Sequence, residues 1–100
     1  MNASIYQLIE TPKTIASAMK VGDPLDGKLT LNWIQESKGM MLSVDDEELL
    51  KAQKLLATQE GIYVETSAAA TLAGLIKIKN KLDSLKVVLI LTGSGLKEKV

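Results

Sequence analysis

The stretch KVVLILTGSGLKEKV, residues 86–100, decides how the chain is read. Residues 87–91 are apolar without a break and mostly β-branched, and they run into Thr92-Gly93-Ser94-Gly95. A strand buried on both faces has this composition, as in a parallel sheet covered by helices. Working outward from it, residues 66–82 (TSAAATLAGLIKIKNKL) predict a helix that is apolar nearly all round in its first half. Such a helix needs cover on several sides. Before it, IYVE at 62–65 reads as a second short strand or an extended lead-in. The clearest helix is 45–61, DDEELLKAQKLLATQEG. Asp45 can cap it, and Glu48 can return the bond to the cap amide. Leu49, Ala52, Leu55 and Leu56 form its apolar stripe, and Gly61 ends it. GMMLSV at 39–44 is short, apolar and bounded by turn signals, which predicts a strand. The order from about residue 39 is therefore β-α-β-α-β, and right-handed crossovers would make the strands parallel.

Upstream of residue 39 the signals are helical. TPKTIASAMK at 11–20 has Thr11 able to cap and Pro12 at the first helical position. VGDPLDG at 21–27 is turn chemistry throughout. KLTLNWIQES at 28–37 places Leu29, Trp33 and Ile34 at helical spacing, with Gly39 where a cap would stand. Residues 1–10 suit either a short strand or the lead into a helix. The expected architecture is one α/β domain over residues 1–100, a small mostly parallel sheet flanked by helices, with two extra helices at the N-terminus.

Composition removes several kinds of chemistry. The chain has neither cysteine nor histidine, which excludes disulfides, thiol nucleophiles, imidazole bases and the usual zinc ligands. All 12 basic residues are lysine, so bidentate arginine recognition of phosphate is not available. Net charge is zero, which gives no electrostatic reason to expect nucleic acid or an anionic membrane as partner. No apolar run reaches the length of a membrane span, and no signal pattern opens the chain; a cytoplasmic protein is expected.

The glycine turn fails as a nucleotide loop. Gly93-Ser94-Gly95 supplies G-x-G, but Glu98 stands where the third glycine of the dinucleotide fingerprint belongs, and no Walker lysine motif is present. Thr92 keeps a weaker claim, because ligands bind beyond the carboxyl ends of strands in open α/β sheets. In YVETSAAA, Glu65 precedes a helix start of small residues whose free N–H groups can be approached closely. A helix cap with tight packing explains that stretch equally well. The acidic run at 45–48 lacks the ligand spacing of a calcium loop and is explained by capping. No metal site is expected, and Trp33 reads as core rather than as a binding platform.

Four stretches together resemble the threonine synthase family, fold-type-II enzymes that use pyridoxal phosphate. TIASAMKVGDP at 14–24 resembles T-I-A-T-A-I-R-I-G-N-P, and residues 43–65 resemble S-D-E-E-I followed by E-G-I-F-V-E. ETSAAATLAGLIKI at 65–78 is similar to E-P-A-S-A-A-A-L-A-G-L-x-K-L, and VVLILTGSGLKE at 87–98 to V-V-x-x-L-T-G-H-G-L-K-D. The resemblance covers about residues 11–98 and only the C-terminal portion of such an enzyme. Departures from the family's residues are Lys20, Asp23, Thr66, Ser94 and Glu98. A serine or threonine dehydratase is the nearest competitor, and ETSAAA and LTGSGLK fit it less well.

The resemblance implies that the complete enzyme converts O-phosphohomoserine and water to threonine and phosphate. It also implies that Thr92 donates a hydrogen bond to the pyridine nitrogen of pyridoxal phosphate, with Gly93 beside it. Glu65 and Ser67 would line the same pocket, and Val21 and Gly22 would approach from the opposite side. The Schiff-base lysine and the phosphate-holding loop lie upstream in the family. The chain alone is therefore expected to bind no cofactor and to catalyse nothing, so no catalytic residue is assigned. Lys97 matches an ordinary family lysine and is expected at the surface. The expected partner is another copy of the chain or a chain carrying the N-terminal part of the enzyme. A non-catalytic interaction or regulatory module derived from such a domain is the alternative.

Overall fold

The computed structural model describes residues 12–97. Expectations for residues 1–10, for the Thr11 cap and for Glu98 lie outside them. Three α-helices make up the framework: α1 (Gly27–Ser37), α2 (Asp46–Glu60) and α3 (Thr66–Ile78). Short 3-10 turns stand at Ser17–Met19, Lys79–Lys81 and Gly95–Lys97.

Helix α2 begins as its sequence predicts. The Asp45 carboxylate accepts the Glu48 N–H at 2.8 Å, and the Glu48 carboxylate accepts the Asp45 N–H at 3.0 Å. This reciprocal box satisfies two of the donors that a helix start leaves open. Gly61 ends the helix with φ of 67°, in the left-handed region where a side chain is costly. Between these ends Leu49, Ala52 and Leu56 are buried against the rest of the molecule, while Leu55 is half-buried. Burying a leucine side chain contributes about 1.5–3 kcal/mol.

Helix α3 packs along α2. The core between and around them is Ala52, Leu56, Val64, Ala68, Ala69 and Ala73, with Val44, Leu72 and Leu91 against its edge. The small alanines let the two backbones come close. Lys77 ties the far end of α3 to the start of α2, donating to the Ser43 carbonyl at 2.6 Å and reaching the Glu48 carboxylate at 3.4 Å.

The expected α/β architecture is not what forms. Among the described residues there is no strand ladder, and the βαβαβ sheet from residue 39 is absent. The sole bridge among them is an isolated antiparallel pair, Val64 with Ser94. Residues 39–44 and 86–92 lie outside helix and sheet, and the latter makes no backbone hydrogen bond among the described residues. The buried-strand reading requires two covered faces, and only one exists. Leu89 and Leu91 are half-buried, while Val88 and Ile90 are 85% and 70% exposed. That alternation is the geometry of an extended chain lying on helices by one face.

The N-terminal helices also need correction. In place of a helix over 11–20 there is one 3-10 turn, Ser17–Met19. Side chains hold this segment instead. Thr14 Oγ1 and the Ile15 N–H both donate to the Asp46 carboxylate, at 3.0 and 3.1 Å, and the Ala16 N–H donates to Thr14 Oγ1 at 3.1 Å. These local bonds compete with a helical path. α1 forms as expected, but the left-handed position at its end is taken by Lys38, with φ of 58°, one residue before Gly39. Trp33 is not core: it is 60% exposed, because α1 stands apart from the α2–α3 pair.

Candidate functional site

The glycine turn and the start of α3 meet. The Glu65 N–H donates to the Gly93 carbonyl and the Gly95 N–H to the Tyr63 carbonyl, both at 3.0 Å. Together with the Val64–Ser94 bridge, these bonds pin 63–65 against 93–95. The glycines are required by closeness. A Cβ at Gly93 would overlap the Glu65 carboxylate, and one at Gly95 would overlap the Tyr63 ring. Gln53 Nε2 holds the other side of the lead-in, donating to the Val64 carbonyl at 2.9 Å.

Glu65 stands at the N-cap of α3 but gives the helix no side-chain bond. Its side chain turns over Gly93 and is buried, with the residue 7% exposed. A buried carboxylate needs a partner, and Lys97 Nζ supplies one at 3.4 Å from Oε1. Lys97 reaches this point because the turn Gly95–Lys97 folds it back, with its N–H bonded to the Ser94 carbonyl. The lysine is exposed, as the resemblance implies, yet its role as the partner of Glu65 has no signal in the sequence. Thirty-two residues separate the two, and no local pattern links them. Tyr63 is also missed by sequence reasoning; Gly95 is its only trace there.

Thr92 borders this corner. It is exposed, and its hydroxyl makes no hydrogen bond among the described residues. Ser67 sits one residue into the helix, and its Oγ is buried without a hydrogen-bond partner among the described residues. Its neighbour Thr66 is different, donating from Oγ1 to the Ile15 carbonyl at 3.4 Å. That contact sets the segment before Val21 against the α3 terminus. The structure thus brings Glu65 and Gly93 together; Thr92 adjoins Gly93 in the chain, and Ser67 follows Glu65 by two residues on α3. Val21 is exposed and Gly22 half-buried, and neither is joined to the corner by a backbone hydrogen bond among the described residues.

Among the described residues no group of acidic side chains could hold a metal ion, and no helix is long and apolar enough to cross a membrane. The acidic run at 45–48 is accounted for by the capping box and by the bonds to Asp46. What remains is a neutral hydroxyl donor one residue from the turn that holds a carboxylate already paired with a lysine. Such a corner can meet one edge of a heteroaromatic ring. Among the described residues it holds no second cation for a phosphate.

Residues 1–93 match the family described as pyridoxal-phosphate dependent enzyme, and the chain belongs to that family. Relatives within the family are threonine synthases. That of Methanocaldococcus jannaschii is 42% identical over 92 residues, which are 89% of this chain and 23% of the relative. Those of Halalkalibacterium halodurans and Synechocystis are 41% and 39% identical over 92% of this chain, and 27% and 24% of their own lengths. The chain therefore spans about a quarter of these relatives, corresponding to their C-terminal portion.

The residues present fit one part of pyridoxal phosphate. The Thr92 hydroxyl, without a hydrogen bond among the described residues, is a suitable donor to a pyridine nitrogen, and the missing side chain of Gly93 is what seats the Glu65 carboxylate beside it. The buried Ser67 Oγ, without a partner among the described residues, is a second polar atom at the start of α3.

Proposed function

We propose that this chain is the C-terminal part of a pyridoxal-phosphate dependent threonine synthase of fold type II. The complete enzyme would convert O-phosphohomoserine and water to threonine and phosphate in the biosynthesis of threonine. What carries this reading is the extent of the similarity: it runs through about nine-tenths of the chain at roughly 40% identity to threonine synthases.

In this reading Thr92 holds the pyridine nitrogen through its hydroxyl. A hydroxyl is a weak acid, so it donates a hydrogen bond without giving up its proton. The cofactor, when bound, supplies an electron sink, and a hydroxyl at the nitrogen keeps that sink milder than a carboxylate would. Lys97 supports this arrangement by engaging Glu65, which keeps the neighbouring carboxylate from acting as a free anion toward the ring. Gly93 seats the Glu65 carboxylate, and Ser67, Val21 and Gly22 complete the lining. No lysine of this chain is assigned as covalent anchor, so the chain alone is non-catalytic and carries no cofactor. It works in the cytoplasm as part of an assembly, with further copies of itself or with a chain that carries the N-terminal part of the enzyme.

The reading is tested by complementation. The purified chain is mixed with O-phosphohomoserine, pyridoxal phosphate and the N-terminal three quarters of a threonine synthase, and phosphate release is followed. Release only in the complete mixture is expected, with at least about a tenfold loss for Thr92→Val, which keeps the shape and removes the donor. Phosphate release by the chain alone would refute it. So would borohydride-fixed cofactor mapped to one of its own lysines. A second reading, a non-catalytic interaction module, is favoured by the exposed Val88, Ile90 and Trp33; it predicts binding to the N-terminal part without activity.

A further inference from the structure

We infer that Asp46 is a positioning residue: by holding Thr14 and Ile15 it sets where Val21 and Gly22 stand. What those two residues meet rests on the cofactor reading above; the hold on them does not. Residues 14–22 contain one 3-10 turn, Ser17–Met19, and otherwise lie outside helix and sheet. Such a segment is placed by whatever its peptide groups and side chains bond to.

Here the bonds lead to two helix starts. The Ile15 N–H donates at 3.1 Å to the carboxylate of Asp46, the first residue of α2. The Ile15 carbonyl accepts at 3.4 Å from the hydroxyl of Thr66, the first residue of α3. Thr14 Oγ1 adds a second bond to the same Asp46 oxygen, at 3.0 Å. Asp46 is the stronger anchor, because its bonds are shorter and its acceptor is a carboxylate. Ala16 follows, fully buried, and the turn after it packs against α3.

From Asp46 the hydrogen bonds run without a gap to Val21. The Thr14 hydroxyl donates to Asp46 and accepts the Ala16 N–H at 3.1 Å. The Ala16 carbonyl accepts the Met19 N–H at 2.9 Å, and the Met19 carbonyl accepts the Val21 N–H at 2.8 Å. Each bond fixes the residue that makes the next, and bonds in such a chain strengthen one another. The Thr14 hydroxyl carries two of them, so its loss should free the segment as fully as loss of Asp46. The capping box of α2 is made by Asp45 and Glu48 and does not use the Asp46 side chain.

Trypsin tests the hold in the complete chain. Lys13 and Lys20 flank the held residues, while Lys51 lies within α2 and reports opening of the whole fold. Asp46→Ala should speed cleavage after Lys13 and Lys20 at least about tenfold relative to Lys51. Thr14→Val should do the same with every charge on α2 in place, and Thr14→Ser, which keeps the hydroxyl, should restore the parent rate. The double variant should be cut no faster than either single one, since both remove one interaction. In the complementation mixture, Asp46→Ala and Thr14→Val should raise the pyridoxal phosphate concentration for half-maximal phosphate release at least about fivefold, with the maximal rate within about twofold. Equal acceleration at Lys51 would reduce Asp46 to a charge that favours the helix start and overturn the proposal. So would an unchanged rate at Lys20 in Thr14→Val. A loosened segment with an unchanged cofactor requirement would overturn the positioning role and leave the enzyme reading standing. No phosphate release from the unsubstituted mixture would sink the enzyme reading instead, and trypsin would still decide whether Asp46 sets Val21 and Gly22.

Discussion

The α2–α3 pair and the segment 86–92 touch one another, yet they satisfy their chains in opposite ways. Each helix closes its backbone internally, and α2 is finished at both ends, by the Asp45–Glu48 box and by Gly61. Its apolar residues need only one neighbour, and α3 provides it. The segment 86–92 has stronger apolar character but no internal way to pair its peptide groups. Its inner side chains find α3, while Val88 and Ile90 find little cover within the described chain. A helix is a local solution to backbone pairing, and a strand is a solution shared with a neighbour.

The sharpest way to break this comparison is to remove a core leucine. Leu49 is 1% exposed, and Leu49→Ala should cost about 2–5 kcal/mol in urea denaturation. Ile90→Ala, by contrast, should leave the stability of a monomer within about 0.5 kcal/mol. Equal losses from the two substitutions would show that 86–92 belongs to the core. Hydrogen exchange sharpens the same point: amides in the middle of α2 should be protected, and those of 86–92 should exchange freely in any monomeric fraction.

The next effect falls on the site. Gly93→Ala forces a methyl group into the place of the Glu65 carboxylate. The expected cost is about 1–3 kcal/mol, as for other overpacked positions. Loss of coupling between Glu65 and Lys97 should accompany it. A double-mutant cycle with Glu65→Gln and Lys97→Met, run with and without the Gly93→Ala substitution, reads that loss. Because Lys97 is 63% exposed at its side chain, the pair itself should contribute no more than about 1 kcal/mol. An undiminished coupling after Gly93→Ala would mean that the glycine does not set the position of the carboxylate.

These contrasts follow what the residues alone make legible. The boundaries of α2, its cap and its stripe are legible because each depends on neighbours three or four positions away. α3 is legible for the same reason, and so is the cluster of small residues at its start. The sheet is not, because apolar, β-branched composition states a preference for pairing without naming a partner. The 11–20 segment misleads because Asp46, far along the chain, takes the Thr14 and Ile15 donors. At the candidate site, Glu65, Ser67, Thr92 and Gly93 come from resemblance and turn chemistry. Lys97 and Tyr63 cannot, since their contacts exist only once 63–65 lies against 93–95.

The smallest effect concerns Ser67, and it separates a structural role from a site. Among the described residues its buried Oγ has no hydrogen-bond partner, whereas the adjacent Thr66 hydroxyl is bonded to the Ile15 carbonyl. A buried hydroxyl without a bond is a cost to the folded chain. Ser67→Ala should therefore be neutral or stabilising by up to about 1 kcal/mol in the isolated chain, while Thr66→Val should destabilise it by roughly as much. In the complementation mixture the order should reverse for function, with Ser67→Ala lowering phosphate release and Thr66→Val acting only through stability. A destabilised Ser67→Ala chain would place an unseen partner on that hydroxyl within the fold, and Ser67 would then lose its claim to face a ligand.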